Sequence, residues 1–203
     1  MRKKSIMSLA CVSALILSSC LRLDTIIRLR RDGTVMARLI YTIAPEMVDF
    51  GRSFGSDEPW PLPLTEKDFE QQALRVGGVD VVRYRVRKLA DGSERIDVKL
   101  VADSFGSIAN YLALDFDIAD SQDGGGSLIF TLPLVDGYEK ADEERREIFD
   151  TIAGESAFKF NFEPPSKPVS VLPGEIDGRR AVLEVSLREL LYNEAPRTWE
   201  VSW

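Results

Sequence analysis

Two stretches of strict alternation, each broken by an Asp-Gly, limit what this chain can fold into more than any other feature. Leu21, Leu23, Thr25, Ile27 and Leu29 share one parity with Val35, Ala37, Leu39, Tyr41 and Ile43 across Asp32-Gly33, while Arg22, Asp24, Arg28 and Arg30 hold the other. A period of two marks a strand with one buried face, and two such strands joined by a short turn make a hairpin. Register then decides whether the buried faces coincide. A two-residue Asp-Gly loop would set Leu29 opposite Met36 and mix the faces. A three-residue loop, Arg31-Asp32-Gly33 with Gly33 left-handed, pairs Leu29 with Val35, Ile27 with Ala37 and Leu23 with Tyr41, and the pattern selects it. The same test on Val79 to Leu89 and Glu94 to Ala102, around Ala90-Asp91-Gly92, sets Val86 opposite Ile96, Tyr84 opposite Val98 and Val82 opposite Leu100. Arg85 then faces Asp97 on the other side.

Between and after the hairpins the pattern changes. Pro45 opens a short helix to about Ser53. Pro59, Pro61 and Pro63 hold Trp60, Leu62 and Leu64 in an extended loop. Thr65 with Asp68 has the form of a capping box, opening a helix that ends at Gly77-Gly78. A shorter helix is expected around Ser104 to Leu112, a strand pair at Leu114 to Ala119 and Leu128 to Leu134, and a charged helix at Tyr138 to Ala153. Phe158, Phe160 and Phe162 alternate, followed by Val169 and Val171, then Ala181 to Leu187. A helical turn from Arg188 to Tyr192 precedes Trp199, Val201 and Trp203, which tie the last residues into a sheet. The expected fold class is α+β: a single domain with a largely antiparallel sheet of hairpins and helices packed on one face.

Arg2, Lys3 and Lys4 precede a twelve-residue, mostly apolar run from Ile6 to Leu17, the two parts of a secretory signal. The run falls short of the roughly 20 residues that span a bilayer. Leu17-Ser18-Ser19-Cys20 resembles the lipobox of bacterial lipoproteins, which implies that residues 1 to 19 are removed and that Cys20 becomes the acylated first residue of an envelope domain, 20 to 203. Each buried methylene contributes about 0.8 kcal/mol, so two or three acyl chains hold where one is marginal. Because Leu21, rather than Asp, follows Cys20, the same resemblance favours the outer membrane, facing the periplasm or the surface. The remaining 203 − 19 = 184 residues suffice for one core. Losing the three leader cations takes the formal charge from −7 to −10. Bulk charge of that sign repels nucleic acid and anionic membrane surfaces, so the expected membrane contact is the lipid on Cys20.

Cys11 leaves with the leader and Cys20 is acylated, which leaves no disulfide to staple the domain. The chain has no His, and this removes Ser-His-Asp and Cys-His catalysis, His-based zinc sites and any imidazole base. No catalytic residue, metal or cofactor is expected. Gly51-Arg52-Ser53-Phe54-Gly55 fits a nucleophile-elbow pattern by chance, since a helix precedes it and no His serves it. Asp115, Asp117, Asp120 and Asp123 miss the spacing of a calcium loop and read as solvated turn residues. Arg83, Arg85 and Arg87 stand two apart on one strand face, with Arg95 and Lys99 opposite. They are either a solvated side partly neutralised by Asp97 or guanidinium forks for phosphate head groups. Trp60 with Leu62 and Leu64 either packs on the core or dips toward membrane or pocket.

The lipobox Cys leading at once into an Asp-Gly hairpin, the Pro-Gly-Glu at Pro173 to Glu175 and the closing Trp-Glu-Val-Ser-Trp from Trp199 resemble the LppM-like family of bacterial envelope lipoproteins. The resemblance covers nearly the whole mature chain. It implies an α+β domain of a kind implicated in binding lipids or glycolipids, accompanied in some members by a C-terminal transmembrane segment. The expected function is that of a non-enzymatic, membrane-anchored lipoprotein binding a lipid, glycolipid or other amphiphile. The alternative is a structural or assembly lipoprotein with a protein partner in the envelope. Cys20 is the lipidation site, and Trp60, Leu62, Arg83, Arg85 and Arg87 are the candidate contacts. A strand that starts directly after the acylated residue keeps the domain against the bilayer, with an apolar cavity expected between sheet and helices and the Trp60 loop near its mouth.

Overall fold

Both hairpins form in the register that parity selects. In a computed structural model describing residues 21–45, 63–120, 125–132, 156–186, 188–189 and 197–203, β1 (Leu21–Leu29) pairs antiparallel with β2 (Val35–Ile43), Leu29 facing Val35 and Leu23 facing Tyr41. β3 (Val79–Lys88) pairs with β4 (Glu94–Ala102), Val86 facing Ile96 and Arg85 facing Asp97. Gly33 and Gly92 take φ of 83° and 87°. In each turn the Asp carboxylate accepts from the residue two positions on: Asp32 from the backbone N–H and hydroxyl of Thr34, Asp91 from those of Ser93. These hydrogen bonds hold both carboxyls below the usual carboxylate range. Alanine at Gly33 or Gly92 is expected to cost about 1 kcal/mol or more through the left-handed penalty. The cost should be larger at Gly92, where a Cβ would sit 3.3 Å from Pro45, than at Gly33, where nothing lies within 4 Å. Urea unfolding of the two variants checks the ranking.

One pairing differs. Val81, not Val82, lies opposite Leu100, and Arg83 lies opposite Lys99, so Val82 is the extra residue of a bulge and is 60% exposed. Val79 and Val81 are apolar on odd positions, Tyr84 and Val86 on even ones. Both sets can face the core only if one residue is absorbed between them.

A seven-stranded sheet runs β3-β4-β2-β1-β7-β10-β9, with β7 spanning Ala157–Glu163, β9 Glu175–Asp177 and β10 Arg180–Ser186. Among the described pairs β1 with β7 is parallel and the rest are antiparallel. It sets Thr25 beside Phe160 and Ile27 beside Phe162 on the buried face. A second, four-stranded sheet, not anticipated from the pattern, runs β5 (Asp115–Asp120), β6 (Gly126–Leu132), β11 (Arg197–Ser202) and β8 (Ser170–Leu172). The fold is therefore α+β as expected, but with sheet as well as helix covering the main sheet. Asp115 and Asp117 sit on the exposed side of β5, alternating with Phe116 and Ile118, and belong to a strand rather than a turn.

Two described helices complete the core. α1 (Glu66–Val76) starts in the capping box, Thr65 Oγ1 accepting from Asp68 N–H and Asp68 accepting from Thr65 N–H. It ends where Gly77 N–H donates to the Ala73 carbonyl. α2 (Phe105–Leu112) is capped by Ser104, which accepts from Ser107 N–H. Phe69 of α1 is wholly buried between Tyr41 and Tyr84, with ring centroids 6.1 and 5.8 Å away. Tyr111 of α2 donates to the Phe69 carbonyl and Gln72 donates to that of Tyr111. Phe130 of β6 stacks on Phe116 at 4.5 Å and meets Phe160 at 4.9 Å, joining the two sheets. None of the described helices is long and apolar enough to cross a membrane.

Candidate anion-binding face

The bulge at Val82 fixes which way the arginines of β3 point. Beyond it Tyr84 turns inward to ring contact with Phe69, and Arg83, Arg85 and Arg87 turn to the opposite, outer face of the main sheet. Direct proof is Arg83 Nη2, which donates to Asp97 Oδ2 at 3.2 Å. The same carboxylate takes a two-pronged contact from Arg38 of β2, Nε to Oδ1 at 2.9 Å and Nη2 to Oδ2 at 2.6 Å. Asp97 thus neutralises neither Arg85, its partner in register, nor Arg87 or Arg95.

Those three guanidiniums have no ion pair or side-chain hydrogen bond among the described residues, and all three are exposed. Arg87 stands directly opposite Arg95, and Arg83 opposite Lys99. Like charges facing each other across a strand pair repel. On this half of the outer face six cations, Arg38, Arg83, Arg85, Arg87, Arg95 and Lys99, outnumber two carboxylates, Asp97 among them and Asp80 opposite Val101. The other half is balanced: Glu163 holds Arg28 at 2.8 Å and Arg180 at 3.9 Å, and Lys159 pairs with Glu184 at 4.0 Å. Half-buried Met36 and Val101 and the buried Ile40 lie among the cations.

The Arg38 hydrogen bonds, then the charges of Arg38 and Arg83, hold the Asp97 carboxyl below the usual carboxylate range. Its contribution to stability is therefore complete above the unfolded value of about 3.9 and is lost as pH falls through the lower folded value. Asp97→Asn is expected to cost about 1–2 kcal/mol at neutral pH, the worth of charge-assisted hydrogen bonds reduced by the partial exposure of both arginines. In unfolding titrations the gap between wild type and variant should be constant from about pH 7 to 5 and close below about pH 4.

Of the candidate contacts, Arg83, Arg85 and Arg87 share one described face. Arg83, Arg85 and Arg87 face away from α1 and α2, so they cannot ring the mouth of a cavity between sheet and helices. At that interface Phe69, Ile108, Tyr111 and Tyr41 are buried and Tyr84 packs half-buried against them. Trp60, Leu62 and Cys20 lie outside the described residues. The described end of the Trp60 loop is pinned to the helix side of the sheet, where Tyr84 donates to the Leu64 carbonyl at 2.6 Å. Arg38 was missed in the sequence because its link to Asp97 depends on β2 pairing with β4, across 59 residues. Every carboxyl whose shift is resolved among the described residues moves down, under hydrogen bonds or positive charge, away from the range useful for proton transfer near neutrality.

No family model matches the chain, and no curated protein matches it. Among solved structures it is similar to the folded domain of LppM from Mycobacterium tuberculosis, determined by NMR. That alignment covers 91% of this chain and 90% of the other, at 14% identity and a TM-score of 0.49. A likeness at that level carries no argument about what this chain binds.

Proposed function

We propose that this chain is a membrane-tethered, non-enzymatic envelope lipoprotein, anchored through Cys20, that engages an anionic amphiphile, a lipid or glycolipid, on the outer face of its main sheet. The observation that carries the reading is the net cationic surface that the described residues of β3, β4 and β2 form, set on a protein whose overall charge is negative. Bulk repulsion does not reach across the domain, because charges farther apart than about 8–10 Å are screened at physiological salt. What a membrane meets is the local face. Met36, Ile40 and Val101 lie among these cations, and arginine stems can cover such apolar surface while their charged tips reach outward. β1 begins at Leu21, next in sequence to Cys20, which supports a tether with little slack. Among the described residues, the burial of Phe69, Ile108 and Tyr111 between sheet and helices favours surface contact with head groups over extraction of a whole lipid.

The test is co-sedimentation of the mature chain carrying Cys20→Ser with vesicles of zwitterionic lipid alone and with added anionic lipid. Binding to the anionic vesicles only, weakened by salt, is the expected result. Equal or absent binding to both rejects the reading. Exposed Val169, Leu172 and Ile176, around the connection from β8 to β9, favour the second reading, a protein partner in the envelope. Absent vesicle binding together with loss of an envelope crosslink on Leu172→Glu would place that reading first.

A further inference from the structure

Three guanidiniums gather near the turn end of the β3–β4 hairpin. Arg87 and Arg95 are directly opposed, which places their Cβ atoms about 4.5–5.5 Å apart, and Arg85 sits on the diagonal to Arg95 at roughly 7–8 Å. The carboxylate that register would give Arg85 is committed to Arg38 and Arg83. An oxyanion seated between the opposed pair removes their repulsion and receives a planar two-pronged fork from each.

Oxygen count decides which anion fits. A phosphodiester has two unesterified oxygens and one charge, enough for one fork. A phosphomonoester has three and carries about −1.5 to −2 at pH 7, enough for two forks that share an oxygen, with a third guanidinium in reach. We propose that Arg85, Arg87 and Arg95 form a subsite for the phosphomonoester head group of a membrane lipid. The proposal rests on the reading of the outer face as an amphiphile-binding surface and adds selectivity to it.

The experiment uses the mature chain carrying Cys20→Ser and vesicles matched in surface charge, whose anionic lipid is either phosphatidic acid, a monoester, or phosphatidylglycerol, a diester. Binding should be about tenfold or more tighter to phosphatidic acid, the worth of one added charge-assisted hydrogen bond. That preference should fade as pH drops through about 6, where the monoester loses its second charge. Arg87→Lys with Arg95→Lys keeps the charge and removes the forks, and should abolish the preference while leaving phosphatidylglycerol binding intact. Equal binding to the two vesicles overturns the subsite and leaves the broader surface reading standing, whereas binding to neither overturns that reading itself. Inorganic phosphate should displace the protein from phosphatidic acid selectively. Thermal stabilisation by phosphate without any vesicle preference would assign the three arginines to a soluble anion and overturn the lipid proposal.

Discussion

Phe130→Ala is expected to lower the free energy of unfolding by about 3–5 kcal/mol, the range for emptying a buried aromatic position. Phe130 has no exposed surface. Its ring stacks on Phe116 at 4.5 Å and meets Phe160 at 4.9 Å and Trp199 at 6.4 Å, so one truncation removes contacts on both sheets. Phe105 cannot close the gap easily, being held edge-on between Phe116 and Phe162. A loss of that size is a large part of the 5–15 kcal/mol typical of a whole domain. Urea unfolding would show it as a drop in midpoint with an unchanged slope. A cost below about 1 kcal/mol would mean that the two sheets do not share this core.

The second large effect falls on binding alone. Removing positive charge with Arg85→Gln and Arg87→Gln should weaken attachment to anionic vesicles by about thirty-fold, at about 1 kcal/mol for each cation near a charged surface. Stability should change by less than about 0.5 kcal/mol, because both side chains are exposed and have no ion pair among the described residues. It should rise slightly if anything, since the Arg87–Arg95 opposition disappears. Arg28→Gln with Arg180→Gln, on the balanced half around Glu163, is the control and should leave vesicle binding nearly unchanged. Equal losses from the two pairs would make net charge, and not the β3–β4–β2 face, the determinant.

The parts of this fold that were legible in the sequence are local ones. Parity around Asp32-Gly33 and Asp91-Gly92 sufficed for both hairpin registers, because a one-residue slip would turn every buried side chain outward. Thr34 and Ser93, two positions after each Asp, were an additional turn signal left unread. Thr65 with Asp68 marked the start of α1 through a reciprocal hydrogen bond between neighbours. Val82 defeated the same method, since apolar residues on both parities leave the bulge position undecided. The second sheet was hidden for a different reason: β11 pairs with β6 and β8 across long separations that leave no periodic trace, as β1 does with β7 in the main sheet. The arginine triplet was visible as a face, but which side of the sheet it occupied depended on the bulge at Val82, and the diversion of Asp97 to Arg38 on the pairing of β2 with β4. Cys20, Trp60 and Leu62 rest on the sequence alone.

Orientation at the membrane tests the central claim most directly. Cys20 is the lone cysteine of residues 20–203, so in the Cys20→Ser background a single introduced cysteine reports one position. Spin labels at Thr42 and Val101, on the outer face beside Arg95 and Lys99, can be compared with labels at Leu74 on α1 and Leu172 on β8, both strongly exposed. With anionic vesicles carrying a lipid-borne relaxation agent, the sheet-face labels should relax strongly and those at Leu74 and Leu172 should remain as in solution. Strong relaxation at Leu172 or Leu74 with none at Thr42 and Val101 would contradict the account.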